Sequence, residues 1–72
     1  MSEQTKIIEF VAFCIEAFAK RKRISGAKAC ALFARSGALD YLRRGYDVLH
    51  SMGEEWLVAD VDGFLRARGY AA

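Results

Sequence analysis

The amino-acid sequence predicts an all-α fold, a compact bundle of four short helices, or five if a glycine divides the third. Apolar residues recur at the 3.6-residue period nearly throughout, and the breaks between periodic segments fall at glycines. There is no internal repeat, low-complexity tract or linker, so residues 1–72 read as a single helical domain.

The first helix is expected from Thr5 to Arg21, with Ile7, Val11, Cys14, Ile15 and Phe18 on one stripe and Ile8 beside it. Phe10 and Phe13 widen this apolar arc, which implies a central helix touched on several sides. Its basic end, "KRKR", suits the negative end of the helix dipole. Ser25 is placed to N-cap a second helix through Arg35, whose apolar face is Ala29, Leu32 and Phe33, with Gly37 after its C-cap.

From Leu39 a third helical region puts Leu39, Leu42, Tyr46 and Leu49 on one stripe and Tyr41, Val48 and Met52 beside it, until Gly53 ends it. Gly45 weakens its middle by roughly 1 kcal/mol relative to alanine and offers a dividing point. The last helix, Glu54 to Arg68, begins with two acids, ends with two arginines and is closed by Gly69. Its core stripe is Leu57, Val61, Phe64 and Leu65.

A chain of this size buries only about 60% of its unfolded surface. Being 54% hydrophobic, it gains stability by covering surface with a second chain, so self-association or another protein partner is expected. Cys14 and Cys30 lie far apart, without a CxxC pairing or companion histidines. They read as buried thiols, with no disulfide framework, metal site or cofactor. The opening "MSEQTK" is acidic and polar where a signal peptide would be basic and then apolar, and no apolar run is long enough to span a membrane. The expected setting is the cytoplasm.

The net charge of +2 conceals a two-ended molecule. Residues 20–44 carry eight bases (Lys20, Arg21, Lys22, Arg23, Lys28, Arg35, Arg43 and Arg44) against the single acid Asp40, a balance of +7. Residues 45–72 carry five acids against two arginines, a balance of −3. Two helices separated by Ser-Gly within the basic segment resemble a helix-turn-helix, and phosphate binding would follow from charge. The second helix is mostly alanine, however, and has no Asn, Gln or Arg run to read base edges. A solvated face or an acidic protein partner is the simpler reading, and a nucleic-acid-binding regulator is the alternative.

The stretch "GYDVLHSMGEEW" crowds the only histidine and the only tryptophan together with a serine, a tyrosine and three acids. At 100° per residue His50 lies about 80° from Leu42 and Ser51 about 180°, so histidine and serine diverge. Asp47, three residues before His50, is placed to orient the imidazole, but a Ser/His/Asp triad is not formed by groups pointing about 100° apart. One histidine with scattered acids also lacks the ligand set of a zinc site. His50 therefore reads as a partly buried helix-terminal residue bonded to the last carbonyls, and the chain as non-enzymatic. Trp56 shares its side of the last helix with Ala59, Gly63 and Ala67. Two readings stay open for it: core packing on the first helix, or an anchor for another chain.

"FVAFCIEAFA", "LFARSGALDYL" and "YDVLHSMGEEWLVADV" together resemble a family of short bacterial helical domains of unknown function. The most specific part is "YDVLHSMG", similar to the family's pattern of Tyr, acid, any residue, Leu, His, hydroxyl residue, any residue, Gly. Tyr46, Asp47, Leu49, His50, Ser51 and Gly53 stand in the matching places, and "FCIE" at Phe13 to Glu16 matches as well. Trp56 departs mildly, standing where the family has some other aromatic or aliphatic residue. The resemblance covers nearly the whole chain and implies an antitoxin-like or accessory role beside enzymes that resemble ADP-ribosyltransferase toxins. Tyr46, Asp47, His50 and Trp56 are then the candidate partner-binding residues.

Overall fold

The computed structural model describes residues 2–70. They form five helices in the order α1 (Glu3–Lys22), α2 (Gly26–Ser36), α3 (Ala38–Arg44), α4 (Tyr46–Leu49) and α5 (Glu54–Ala67), with no strand among the described residues. No helix of the described residues is long and apolar enough to cross a membrane.

Each helix stops for a local reason. Ser2 caps α1 by accepting a hydrogen bond from the Thr5 N–H, which starts the helix two residues before the apolar stripe alone suggests. At its other end Arg23 takes the left-handed conformation at φ 58°, and the Ile24 N–H reaches back to the Ala19 carbonyl at 3.0 Å. That is a Schellman closure, built here without glycine. Ser25 caps α2 through the Lys28 N–H at 3.0 Å, and Gly37, at φ 90°, both ends α2 and begins α3.

Gly45 divides the third helical region into α3 and α4. Its N–H still bonds the Tyr41 carbonyl and its carbonyl still accepts from Leu49, so the chain bends without losing its ladder. A Cβ there would stand 2.7 Å from Leu49 Cδ1 and 3.3 Å from the Tyr41 carbonyl oxygen, so close approach is what requires glycine. Gly69, at φ 83°, lets the Tyr70 N–H return to the Leu65 carbonyl at 2.8 Å and closes α5 in the same Schellman manner.

The core lies where α1, α2, α3 and α5 meet. Phe18 of α1 and Phe33 of α2 are both wholly buried and pack edge to face at 5.3 Å. Leu42, Val61 and Leu65 complete this centre. Val58 is buried too, one position outside the expected stripe of α5. A second layer joins α3 to α5: Tyr41 stacks on Phe64 at 4.5 Å, and the Arg68 guanidinium lies 4.6 Å from the centre of the Phe64 ring.

Four expectations are corrected here. Phe13 and Ile8 of α1 are exposed rather than part of a wide buried arc, at 43% and 61%, and Val48, expected beside the stripe of the third helical region, is exposed at 65%. With α2, α3 and α5 packed along it and α4 touching it through Tyr46, α1 is covered over part of its circumference, and Phe13 and Ile8 face outward. Cys30 is exposed, because the outward face of the alanine-rich α2 has no neighbour among the described residues. Cys14 is buried as expected, and burial pushes its thiol up to about 11.

Candidate functional site

The "YDVLHSMG" motif folds as α4 and its stop. A four-residue helix leaves its carbonyls without intrahelical partners, and the motif supplies them. The His50 Nδ1 lies 2.6 Å from the Tyr46 carbonyl oxygen. A carbonyl only accepts, so Nδ1 carries the proton in this contact. The Ser51 hydroxyl donates to the Val48 carbonyl at 2.9 Å, and the Met52 N–H bonds the Leu49 carbonyl at 3.0 Å.

Histidine and serine are thus both engaged in capping, at different carbonyls. The His50 ring is oriented by the Tyr46 backbone and stacks on the Tyr46 ring at 4.5 Å, not by Asp47, which is exposed and makes no hydrogen bond to it among the described residues. His50 is exposed where partial burial was expected, because α4 lies at the edge of the bundle. Tyr46 connects the motif to the body of the protein, with its ring edge-on to Phe10 of α1 at 5.5 Å.

Trp56 lies on α5 away from Leu57, Val58, Val61 and Leu65, which are buried. It is 46% exposed, and Ala59, Gly63 and Ala67 beside it are exposed as well. The core reading of Trp56 is therefore set aside. A tryptophan next to small residues leaves a shelf on which another surface can seat closely.

The basic segment is divided rather than gathered. Arg21 pairs with Glu55 at 3.8 Å, Lys22 with Asp62 at 3.0 Å, and Arg44 with Asp40 at 3.0 Å. Of these only the Lys22 pair is well shielded, and Asp62 also holds Arg66 at 3.1 Å. Among the described residues no ion pair holds Lys20, Arg23, Lys28, Arg35 or Arg43. Lys20 and Arg23 stand at the C-terminal end of α1, whereas Arg43 lies on α3 and borders a groove along the first half of α1, so these cations sit on different elements.

Two concavities among the described residues bear on the site. One, of about 340 Å³, lies between α3 and the end of α5, but its polar groups largely satisfy each other, Arg44 with Asp40 and Tyr41 with Asp60. The other, of about 670 Å³, runs along the first half of α1 beside α3. Ile7, Ile8, Val11, Ala12, Ile15 and Leu39 line it, and Glu3, Gln4 and Arg43 border it. The signal for this groove was present in the sequence as an apolar arc too wide for so short a chain to cover. Among the described residues no group of three His, Cys, Asp or Glu side chains is placed to hold a metal ion.

Residues 9–68 match the family model described as "Protein of unknown function (DUF3791)". The match runs from α1 to the end of α5 and includes Tyr46, Asp47, His50 and Trp56. No curated protein and no solved structure matches the chain.

Proposed function

We propose that this chain, which belongs to the DUF3791 family of proteins of unknown function, serves as a non-enzymatic protein-interaction module. The exposure of Trp56 on the side of α5 opposite the core carries this reading. Keeping a large apolar ring in water is unfavourable, and tryptophan is among the residue types enriched at binding anchors. The engagement of His50 and Ser51 in capping supports a role other than catalysis.

The partner we propose is an enzyme resembling an ADP-ribosyltransferase toxin, encoded beside this chain and held in an antitoxin-like or accessory complex. We assign Trp56 as the anchor of this contact and Tyr46, Asp47 and His50 as further residues that meet the partner. Isothermal titration of the purified chain into that enzyme is the test. A stoichiometric complex weakened about thirtyfold by Trp56→Ala supports the proposal, thirtyfold being about 2 kcal/mol. No complex, or one indifferent to Trp56→Ala, refutes it.

A further inference from the structure

We infer that the groove along α1 is occupied by α1 of a second copy of this chain, in an antiparallel, two-fold pair. The inference stands apart from the proposed enzyme partner, because it uses a different surface.

The groove follows α1 from Gln4 to Ile15, roughly 17 Å at 1.5 Å per residue, which is three turns of helix. Its floor is Ile7, Val11 and Ile15, and Glu3 and Arg43 are its charged lining residues. A small polar ligand needs convergent polar groups within its site, whereas an elongated apolar trough fits a helix.

The outer edge of the groove suggests which helix. Gln4, Ile8, Ala12 and Glu16 are spaced by four and form one ridge of α1, with all four side chains exposed. Two copies placed antiparallel about the level of Phe10 bring Ile8 of each against the partner's Ala12 and Gln4 of each toward the partner's Glu16. The most exposed isoleucine then meets a methyl group, so a ridge of one copy fills a gap in the other. A carboxylate meets an amide donor.

Arg43 of α3 lines the groove, and the antiparallel pairing carries the partner's Glu16 to the same groove at Gln4. Neither Arg43 nor Glu16 is held in an ion pair among the described residues. The pairing therefore brings Arg43 and Glu16 onto the same groove twice, with Glu3 bordering that groove as well, and sets no like charges face to face along the Gln4, Ile8, Ala12 and Glu16 ridge. A two-fold interface has this self-matching property by construction, because each residue i that meets j is repeated as j meeting i.

Sedimentation equilibrium of the purified chain, from roughly micromolar to roughly millimolar concentration, tests the inference. The expected result is a reversible monomer–dimer equilibrium. Ile8→Glu should raise its dissociation constant about thirtyfold or more, as for a central anchor, while the far-UV spectrum stays helical. Should Ile8→Glu lose its fold, Ala12→Glu, at an exposed position whose side chain is only a methyl group, provides the same test. Glu16→Arg should weaken the dimer, and adding Arg43→Glu to it should restore part of the loss. A chain that stays monomeric throughout, or a dimer unaffected by these changes while Trp56→Ala dissolves it, overturns the inference.

Discussion

The Tyr41 hydroxyl donates a 2.6 Å hydrogen bond to Asp60 Oδ2 and so ties α3 to α5 across nineteen positions of sequence. The hydrogen bond to Asp60 is the main reason the phenol is held well above its ordinary range, at about 12, with burial and the Asp60 charge adding to it. Folding therefore favours the protonated phenol. Its contribution is fully present below pH 10, the ordinary value, and is lost as pH rises through about 12. Tyr41→Phe should cost about 1.5 kcal/mol at neutral pH, the lower end for a hydrogen bond to a charged group because the site is only half-buried. Absorbance titration of phenolate checks it: one tyrosine should ionise near 12 in the folded chain, and the Phe variant should lack that step.

Arg23 closes α1 in a left-handed conformation that costs a non-glycine residue about 1 to 2 kcal/mol. Part of that cost would return as unfolded-chain entropy on replacement by glycine. Arg23→Gly should therefore stabilise the chain by about 0.5 to 1 kcal/mol in urea melts. A destabilised variant would mean that the Arg23 side chain holds something beyond the Schellman closure.

Two glycines should respond in opposite directions. Gly63 has nothing within 4 Å of a would-be Cβ, so Gly63→Ala should stabilise α5 by about 0.5 to 1 kcal/mol through helix propensity. At Gly45 the same propensity gain is opposed by the 2.7 Å approach to the buried Leu49 and the 3.3 Å approach to the Tyr41 carbonyl. Overpacking costs typically about 1 to 3 kcal/mol, so Gly45→Ala should be net destabilising by about 1 kcal/mol. Thermal melts of both variants, compared with the parent, read the signs directly.

The helix limits were legible because their causes are local. Ser25, Gly37 and Gly69 act within three or four residues of themselves, and cap chemistry reads at that range. The division at Gly45 was legible only as an option, since the deciding contact is the position of the Leu49 side chain. Phe13, Ile8 and Val48 were misplaced for a different reason. An apolar residue at the edge of an arc is compatible with burial, but whether a neighbour arrives depends on how few helices a chain of 72 residues supplies. The site divides along the same line. Divergence of His50 from Ser51 followed from helical angles, whereas the use of the Tyr46 carbonyl in place of Asp47 depended on where α4 stops. The scattering of the basic residues depended on long-range pairs such as Lys22 with Asp62, which spacing does not encode.

His50 and Ser51 supply the last bonds of α4, so removing them should loosen that helix and little else. His50→Ala should cost about 0.5 to 1 kcal/mol, the ordinary net worth of one exposed capping bond. Hydrogen exchange should rise at His50 and Met52, whose N–H groups bond the Tyr46 and Leu49 carbonyls, and stay unchanged across Phe18 and Phe33. If global stability fell by several kcal/mol instead, the motif would be part of the core rather than a stop.

Trp56 is the only tryptophan, so its fluorescence reports on one place. Half-exposed on the free chain, it should emit toward the red and be quenched readily by iodide or acrylamide. Trp56→Ala should leave the melting temperature nearly unchanged, since changes at exposed positions usually fall within about 0.5 kcal/mol, against about 3 to 5 kcal/mol for a buried tryptophan. Dimerisation through α1 does not cover α5, so the emission should not change with chain concentration alone. Covering by a partner on the Ala59, Gly63 and Ala67 shelf should shift it to the blue and protect it from quencher. The two surfaces are thereby separable in one sample: Ile8→Glu should abolish self-association and keep the partner-induced blue shift, whereas an emission shift that tracked dimerisation would place Trp56 in the two-fold interface.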